Sequence, residues 1–106
     1  MGQSSRWRPG RLAEKLAAVR SALQLSQNEL LSRLDLPEEI TQARISAYER
    51  GVREPPLSVL LRYARIANVY VDVLIDDELE LPGKLPATPT SAGVRRRAAR
   101  KLQPNK

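Results

Sequence analysis

Residues 41–47 carry side chains whose types and spacing suit the reading of base pairs in duplex DNA. Gln can bond adenine through both amide groups, Arg can bond guanine O6 and N7, and Ala can touch the thymine methyl group. Ile45 and Tyr48 are spaced to face one side of a helix together, which leaves residues 42–44, 46 and 47 directed toward solvent or a groove. The candidate base-reading residues are Gln42, Ala43, Arg44 and Ala47. The alternative is that these are ordinary exposed helix residues.

The inventory of reactive side chains excludes most enzymatic chemistry. The chain has no Cys and no His, so thiolate nucleophiles, imidazole bases and the usual zinc ligands are missing. The carboxylates of Asp76, Asp77, Glu78 and Glu80 form one run, but no second cluster completes a metal site. We interpret this run as solvated acidic surface. The sequence predicts a binding protein that is not an enzyme and uses neither a metal nor a cofactor.

Charge is distributed unevenly along the 106 residues, whose net charge is +6. Residues 1–65 contain 11 basic residues (Lys and Arg) and 7 acidic residues (Asp and Glu). Residues 66–83 contain 5 acidic residues and no basic ones, whereas residues 84–106 contain 7 basic residues and no acidic ones. Lys and Arg supply most of the sequence-independent affinity for nucleic acid because they neutralise phosphates. The asymmetry favours a polyanionic partner, although a basic surface can also serve solubility alone.

An all-α fold with one small core is expected to position these residues, because the apolar content is almost entirely aliphatic. The helical period of apolar residues predicts five short helices, and their bounds are about 10–23, 26–34, 42–50, 57–67 and 71–77. Ser26 and Glu29 make a capping box, Thr41 is an N-cap, and Gly51 ends the third helix. The fourth helix is expected to bury Leu57, Leu60, Leu61, Ala64 and Ala67 on one face.

The chain divides into a folded centre and two polar ends. Residues 1–10 are predicted to be a flexible basic arm, residues 11–80 the helical domain, and residues 81–106 a disordered linker and basic tail. The arm contains Trp7, for which packing on the domain surface and contact with a DNA groove are both open. No apolar run is long enough to span a membrane, and the N-terminus lacks the apolar stretch of a signal peptide. A cytoplasmic location is therefore expected.

Several short motifs, taken in order, resemble the XRE or lambda-repressor-like helix-turn-helix family over about residues 11–77. The best-matched parts are Leu25-Ser-Gln, Ile45-Ser46, Tyr48-Glu-Arg-Gly, and the Pro-Leu start of the fourth helix. The resemblance implies a compact five-helix DNA-binding domain in which the third helix enters the major groove.

The resemblance also implies roles for individual residues. Contacts to the DNA backbone are implied for Ser26, Gln27, Ser46, Arg50 and Arg53. Plain helix capping is the alternative for Ser26, and solvated surface is the alternative for the two Arg residues. A partly buried ion pair between Arg20 and Glu49, which would lock the first helix to the third, is implied as a structural feature.

Three features depart from the family pattern. Leu31 stands where a small residue is usual, Asp35 stands where Gly is usual, and the turn 35–41 is about four residues longer. Extra loop residues cost little chain entropy, so the helix pair can keep its angle. Glu38 and Glu39 are expected to point outward, away from phosphate.

The function predicted from these observations is operator binding by a transcriptional regulator, most simply a repressor. A homodimer on a palindrome with half-sites about 34 Å apart is expected, with the fifth helix and residues 69–71 as its interface. The alternative is an antitoxin-type module whose acidic end 72–80 or tail binds a protein partner. Recognition of unpaired RNA has little support, since no aromatic stacking platform is present.

Overall fold

Helices make up the regular structure of the domain. The computed structural model describes residues 9–88, and the arm residues 6–8 and the tail 95–101 lie outside the described residues. The helices are α1 (Leu12–Ala22), α2 (Gln27–Leu34), α3 (Gln42–Glu49), α4 (Leu57–Ala67) and α5 (Val71–Ile75). The prediction of an all-helical, five-helix fold is confirmed, whereas α1 and α5 are shorter than predicted.

One core holds the helices together. α1 contacts α3, α4 and α5, while α2 contacts α3 and α4. The fully buried side chains include Leu16, Leu30, Ile45, Tyr63 and Leu74, one from each helix. The core is therefore continuous from α1 to α5, and α3 lies against it with only one face.

The buried face of α4 differs from the predicted one. Its buried residues are Val59, Leu60, Tyr63, Ala64 and Ala67. Leu57 is 80% exposed and Leu61 is 39% exposed. Two apolar stripes overlap on this helix, and packing selects the stripe that contains Tyr63. Leu57 and Leu61 are left on the surface.

A network of polar contacts closes α1 onto α5, and we call it the closing network (Arg11, Lys15, Asp77, Glu80). The Asp77 carboxylate accepts hydrogen bonds from the backbone N–H groups of Gly10 (2.8 Å) and Arg11 (3.0 Å). Arg11 binds Glu80 through two nitrogens, at 3.0 and 3.1 Å. Part of the acidic run therefore caps the start of α1, which corrects its interpretation as purely solvated surface.

Lys15 is the centre of the closing network and has no counterpart in the sequence-based predictions. It is 2% exposed. Its Nζ donates to the carbonyl oxygens of Val73, Asp76 and Leu79 at 2.7–2.8 Å. A buried amino group requires such partners, and here they are the carbonyls at the end of α5 and in the turn after it.

Left-handed residues end the first four helices. They are Gln24 (φ 59°), Asp35 (φ 53°), Gly51 (φ 75°) and Asn68 (φ 63°). The predicted stop at Gly51 is confirmed, Asn68 ends α4 in the same way, and Asp35 adopts the conformation for which the family uses Gly. Gly51 N–H bonds to Tyr48 O and Val52 N–H to Ala47 O, the pattern of a Schellman motif.

At the helix starts, the capping box of Ser26 and Glu29 is confirmed, with both reciprocal hydrogen bonds present. Thr41 occupies the N-cap position of α3, but its side chain makes no capping hydrogen bond. The predicted Thr41 cap is wrong in this respect: its backbone carbonyl alone accepts the first bonds of α3, from Arg44 and Ile45.

The segment after α5 follows the domain surface as far as residue 88. Leu81 and Leu85 pack against the core, and the Asn68 side chain donates to Pro86 O at 2.8 Å. These contacts lie at the start of the stretch 81–106 that is predicted to be a linker and tail.

Candidate nucleic-acid interface

The connection between α2 and α3 is an ordered turn held from α4. Arg62 donates to the carbonyl oxygens of Leu34 (2.9 Å) and Asp35 (2.8 Å), and so caps the carboxyl end of α2. Leu36 and Ile40 pack against the core. Glu38 and Glu39 are exposed, as expected. The long turn therefore fixes α3 relative to α2, although it contains more residues than the family pattern.

Arg20 and Glu49 join α1 to α3 through a two-pronged ion pair. Arg20 Nε lies 2.8 Å from Glu49 Oε2, and Nη2 lies 3.0 Å from Oε1. The Glu49 side chain is only 6% exposed and that of Arg20 27%. The hydrogen bonds with Glu49 raise the pKa of Arg20, so the guanidinium is held in its charged form. Arg20 also donates to Leu25 O at 3.0 Å, which ties the start of α2 to the pair.

The ion pair continues through two glutamines to the surface. Gln27 Nε2 donates to Glu49 Oε1 at 3.1 Å, and Gln42 Nε2 donates to Gln27 Oε1. We call this chain of contacts the recognition network (Arg20, Glu49, Gln27, Gln42). Each group fixes the orientation of the next, because a carboxylate only accepts and an amide has one donor side and one acceptor side.

The direction of the recognition network determines what Gln42 presents outward. Its nitrogen side faces Gln27, so one N–H is engaged and the amide cannot flip without losing that bond. Its carbonyl oxygen has no hydrogen-bond partner within residues 9–88. One acceptor and one remaining N–H donor are thereby left at the exposed first residue of α3.

The other predicted base-reading residues differ in exposure. Ala43 is exposed beside Gln42, whereas Arg44 and Ala47 are half-buried. Ile45 and Tyr48 are buried, as the helical period predicts. The amino-terminal turn of α3 is thus its most accessible part.

The predicted DNA-backbone residues surround α3 without forming one cluster. Arg50 and Arg53 are exposed, and Arg50 Nε donates to Ser46 Oγ at 3.2 Å. The Ser26 hydroxyl and backbone N–H are both engaged with Glu29. Gln27 is half-buried and lies within the recognition network.

The chain matches a helix-turn-helix family model over residues 16–74, more than half of its length. This chain belongs to the XRE-type helix-turn-helix family. Its five helices agree with a lambda-repressor-like fold, in which α2 and α3 are the helix-turn-helix pair. Searches of curated proteins and of solved structures returned no match.

Membership in this family supports a DNA-binding regulator of transcription. Within residues 9–88, no group of carboxylates is placed to hold a metal ion. Among the helices of this described stretch, none is long and apolar enough to cross a membrane.

Sequence reasoning missed Arg62 as a residue that serves this site, and it missed the contacts of Gln27 within the domain. Arg62 holds the turn through backbone carbonyls, and because every residue type has one, the sequence does not indicate this contact. Gln27 was assigned to DNA phosphate, but its side chain connects Glu49 to Gln42. The spacing of Gln27 and Gln42 carries no signal for this contact, because the inserted turn lies between them.

Proposed function

We propose that this protein binds specific sequences of double-stranded DNA by placing α3 in the major groove, and that it acts as a transcriptional repressor. The observation that carries the proposal is the oriented Gln42 amide at the exposed start of α3. An acceptor and a donor side by side match adenine N6 and N7. Preorganisation by Gln27 lowers the ordering cost of that contact.

Arg44 and Ala43 complete the proposed reading surface. Arg44 follows Gln42 by two residues and can reach guanine O6 and N7, while the exposed Ala43 methyl group can contact a thymine methyl. Because Arg44 is half-buried, its side chain has fewer conformations to lose on binding. Ala47 lies one turn beyond Ala43 along α3 and is the last member of the proposed set in chain order.

Phosphate contacts would place the helix without reading sequence. Arg50 and Arg53 stand on either side of Gly51, whose left-handed turn directs the chain away from α3. Both are exposed. The amino ends of α2 and α3 add their partial positive charge. Ser26, Gln27 and Ser46 are proposed as further polar contacts to the backbone.

We also propose that the protein binds its operator as a symmetric dimer. One α3 contacts too few base pairs for high specificity, and a two-fold pair doubles them. The exposed Tyr70 and the half-buried Val69 and Val71 form an apolar edge at the start of α5. A role at promoters agrees with the expected cytoplasmic location.

The antitoxin-type alternative has weaker support. It relied on the acidic end of the domain as a surface for a protein partner. Asp77 and Glu80 instead bind Gly10 and Arg11 within the domain. Only part of the acidic run therefore remains available to a partner.

The proposed function is tested by selecting bound duplexes from a random pool at several salt concentrations and sequencing them. We expect a palindromic motif that is lost in the Gln42→Ala, Arg44→Ala double variant. Arg33→Ala, Arg65→Ala is a control that removes two exposed charges outside α3. Uniform binding of all sequences that vanishes with salt would contradict the proposal, because only phosphate attraction behaves in that way.

A further inference from the structure

An apolar groove opens between the start of α1 and the start of α4. Leu12, Leu60 and Ile75 line it together with Pro55, Pro56 and Leu57, and its volume is about 300 Å³. An apolar cavity of about 150 Å³ is large enough to bind benzene, so this groove has room for an aromatic ring. Its position is fixed by the closing network, because Asp77 holds Gly10 and Arg11 in place beside it.

The rim of the groove leaves a large apolar side chain on the surface. Leu57 is 80% exposed at the first position of α4, and Pro56 beside it is exposed as well. Leu57 and Pro56 therefore offer apolar contact to an occupant of the groove.

The chain that precedes Pro9 is the segment best placed to fill the groove. Pro9 itself lines the groove, and Trp7 is two residues upstream, within about 7 Å of chain. Among residues 1–8, only Met1 and Trp7 have large apolar side chains. Arg6 and Arg8 flank Trp7, and Glu54 is the charged residue among the groove-lining residues that the structure describes.

We propose that Trp7 docks its indole ring into this groove and so anchors the amino-terminal arm to its own domain. The ring covers the exposed face of Leu57 and contacts the two prolines, while the flanking arginines lie near Glu54. The docked arm completes the apolar surface that α1, α4 and α5 leave open.

Docking has a consequence for DNA binding, and this consequence rests on the proposed function. A second groove adjoins the first and is lined by Pro9, Gly10, Gly51 and Arg53. The arm therefore begins beside Arg53, a proposed phosphate contact. Anchoring Trp7 keeps Arg6 and Arg8 on that side of the domain, where they add to the phosphate-binding charge.

The docking is tested without DNA, so its failure is distinct from failure of the proposed function. Trp7 is the one tryptophan of the chain, and its fluorescence reports its surroundings directly. We expect the folded chain to emit at shorter wavelength than the unfolded chain and to be quenched less by acrylamide. Leu57→Ser should shift the emission toward that of the unfolded chain, whereas Leu61→Ser, on the same helix but outside the groove, should leave it unchanged.

A stability measurement checks the same contact. Trp7→Ala should lower the Tm by about 4–8 °C, the order of change expected when one aromatic contact is lost from a domain of this size. In the Leu57→Ser background the same replacement should have a smaller effect, because the two side chains share one contact.

Three results would overturn the proposal. The first is emission identical to that of the unfolded chain, and the second is shifted emission that does not respond to Leu57→Ser. The third is a shift that grows with protein concentration, since a second copy would then supply the tryptophan. Circular dichroism of both leucine variants confirms that they fold, which is expected because both side chains are exposed.

Discussion

Two polar networks begin at opposite ends of α1, and they differ in the groups at which they end. The closing network starts at Arg11 and Lys15, and its bonds end on carboxylates and carbonyls of the same domain. The recognition network starts at Arg20 and ends at the exposed amide of Gln42. Both contain an Arg–Glu pair that joins α1 to a distant element. A network that closes on itself serves folding, whereas one with an outward end can also orient a ligand contact.

The largest expected effect is on stability and comes from the closing network. Lys15→Met keeps the length and packing of the side chain but removes its three hydrogen bonds to carbonyls. We expect a loss of about 3 kcal/mol in the free energy of unfolding, or a Tm lower by about 12–24 °C. At temperatures where the variant is folded, its DNA affinity should equal that of the wild type. Thermal unfolding and a binding titration measure the two effects, and an unchanged Tm would show that these bonds contribute nothing.

A substitution in the recognition network should affect DNA affinity more than stability. Glu49→Gln removes the charge that holds Arg20 and weakens the acceptor of Gln27. We expect a loss of about 1 kcal/mol in stability, but a fall of roughly tenfold in affinity for the selected operator. Glu80→Gln is the matched control, since it breaks the Arg–Glu pair of the closing network. Equal effects of the two substitutions on affinity would remove the distinction between the networks.

The smallest expected effect is a pH dependence confined to the closing network. Hydrogen bonds from the Gly10 and Arg11 backbone lower the pKa of Asp77 from its ordinary value of 3.8, and the hydrogen bond from Arg11 lowers that of Glu80 from 4.5. The unfolded chain therefore takes up protons first as the pH falls, and the stabilisation present above these values is lost below them. The Tm difference between wild type and Asp77→Asn should shrink as the pH drops below about 3.8. A constant difference across this range would contradict the assigned cause.

The sequence predicted the features that depend on neighbouring residues. The five helices, the Ser26 and Glu29 capping box and the stop at Gly51 follow from local chemistry, and the structure contains all of them. The buried face of α4 was predicted incorrectly because two apolar stripes overlap on it, and periodicity cannot choose between them. Packing against the other helices makes that choice.

Most contacts between residues far apart in the chain could not be predicted from the sequence. Lys15 and Arg62 bind backbone carbonyls, and any residue type can supply a carbonyl, so no pattern marks them. The Arg20–Glu49 pair was expected only through the family resemblance, since 29 residues separate the two. For the candidate site, the side chains at the start of α3 were identified from their types, whereas the bond that Gln42 donates to Gln27, and that orients Gln42, required the structure.

The central claim is that Gln27 orients Gln42 for reading one base pair. The most direct test measures the base preference at each operator position for wild type, Gln27→Ala, Gln42→Ala and the double variant. We predict that Gln42→Ala lowers the preference for adenine at one position by an amount equivalent to about 1–3 kcal/mol. Gln27→Ala should lower it at the same position, with no further loss in the double variant. If Gln27→Ala leaves that preference intact, or if the two losses simply add, Gln27 does not orient Gln42 and the account is wrong.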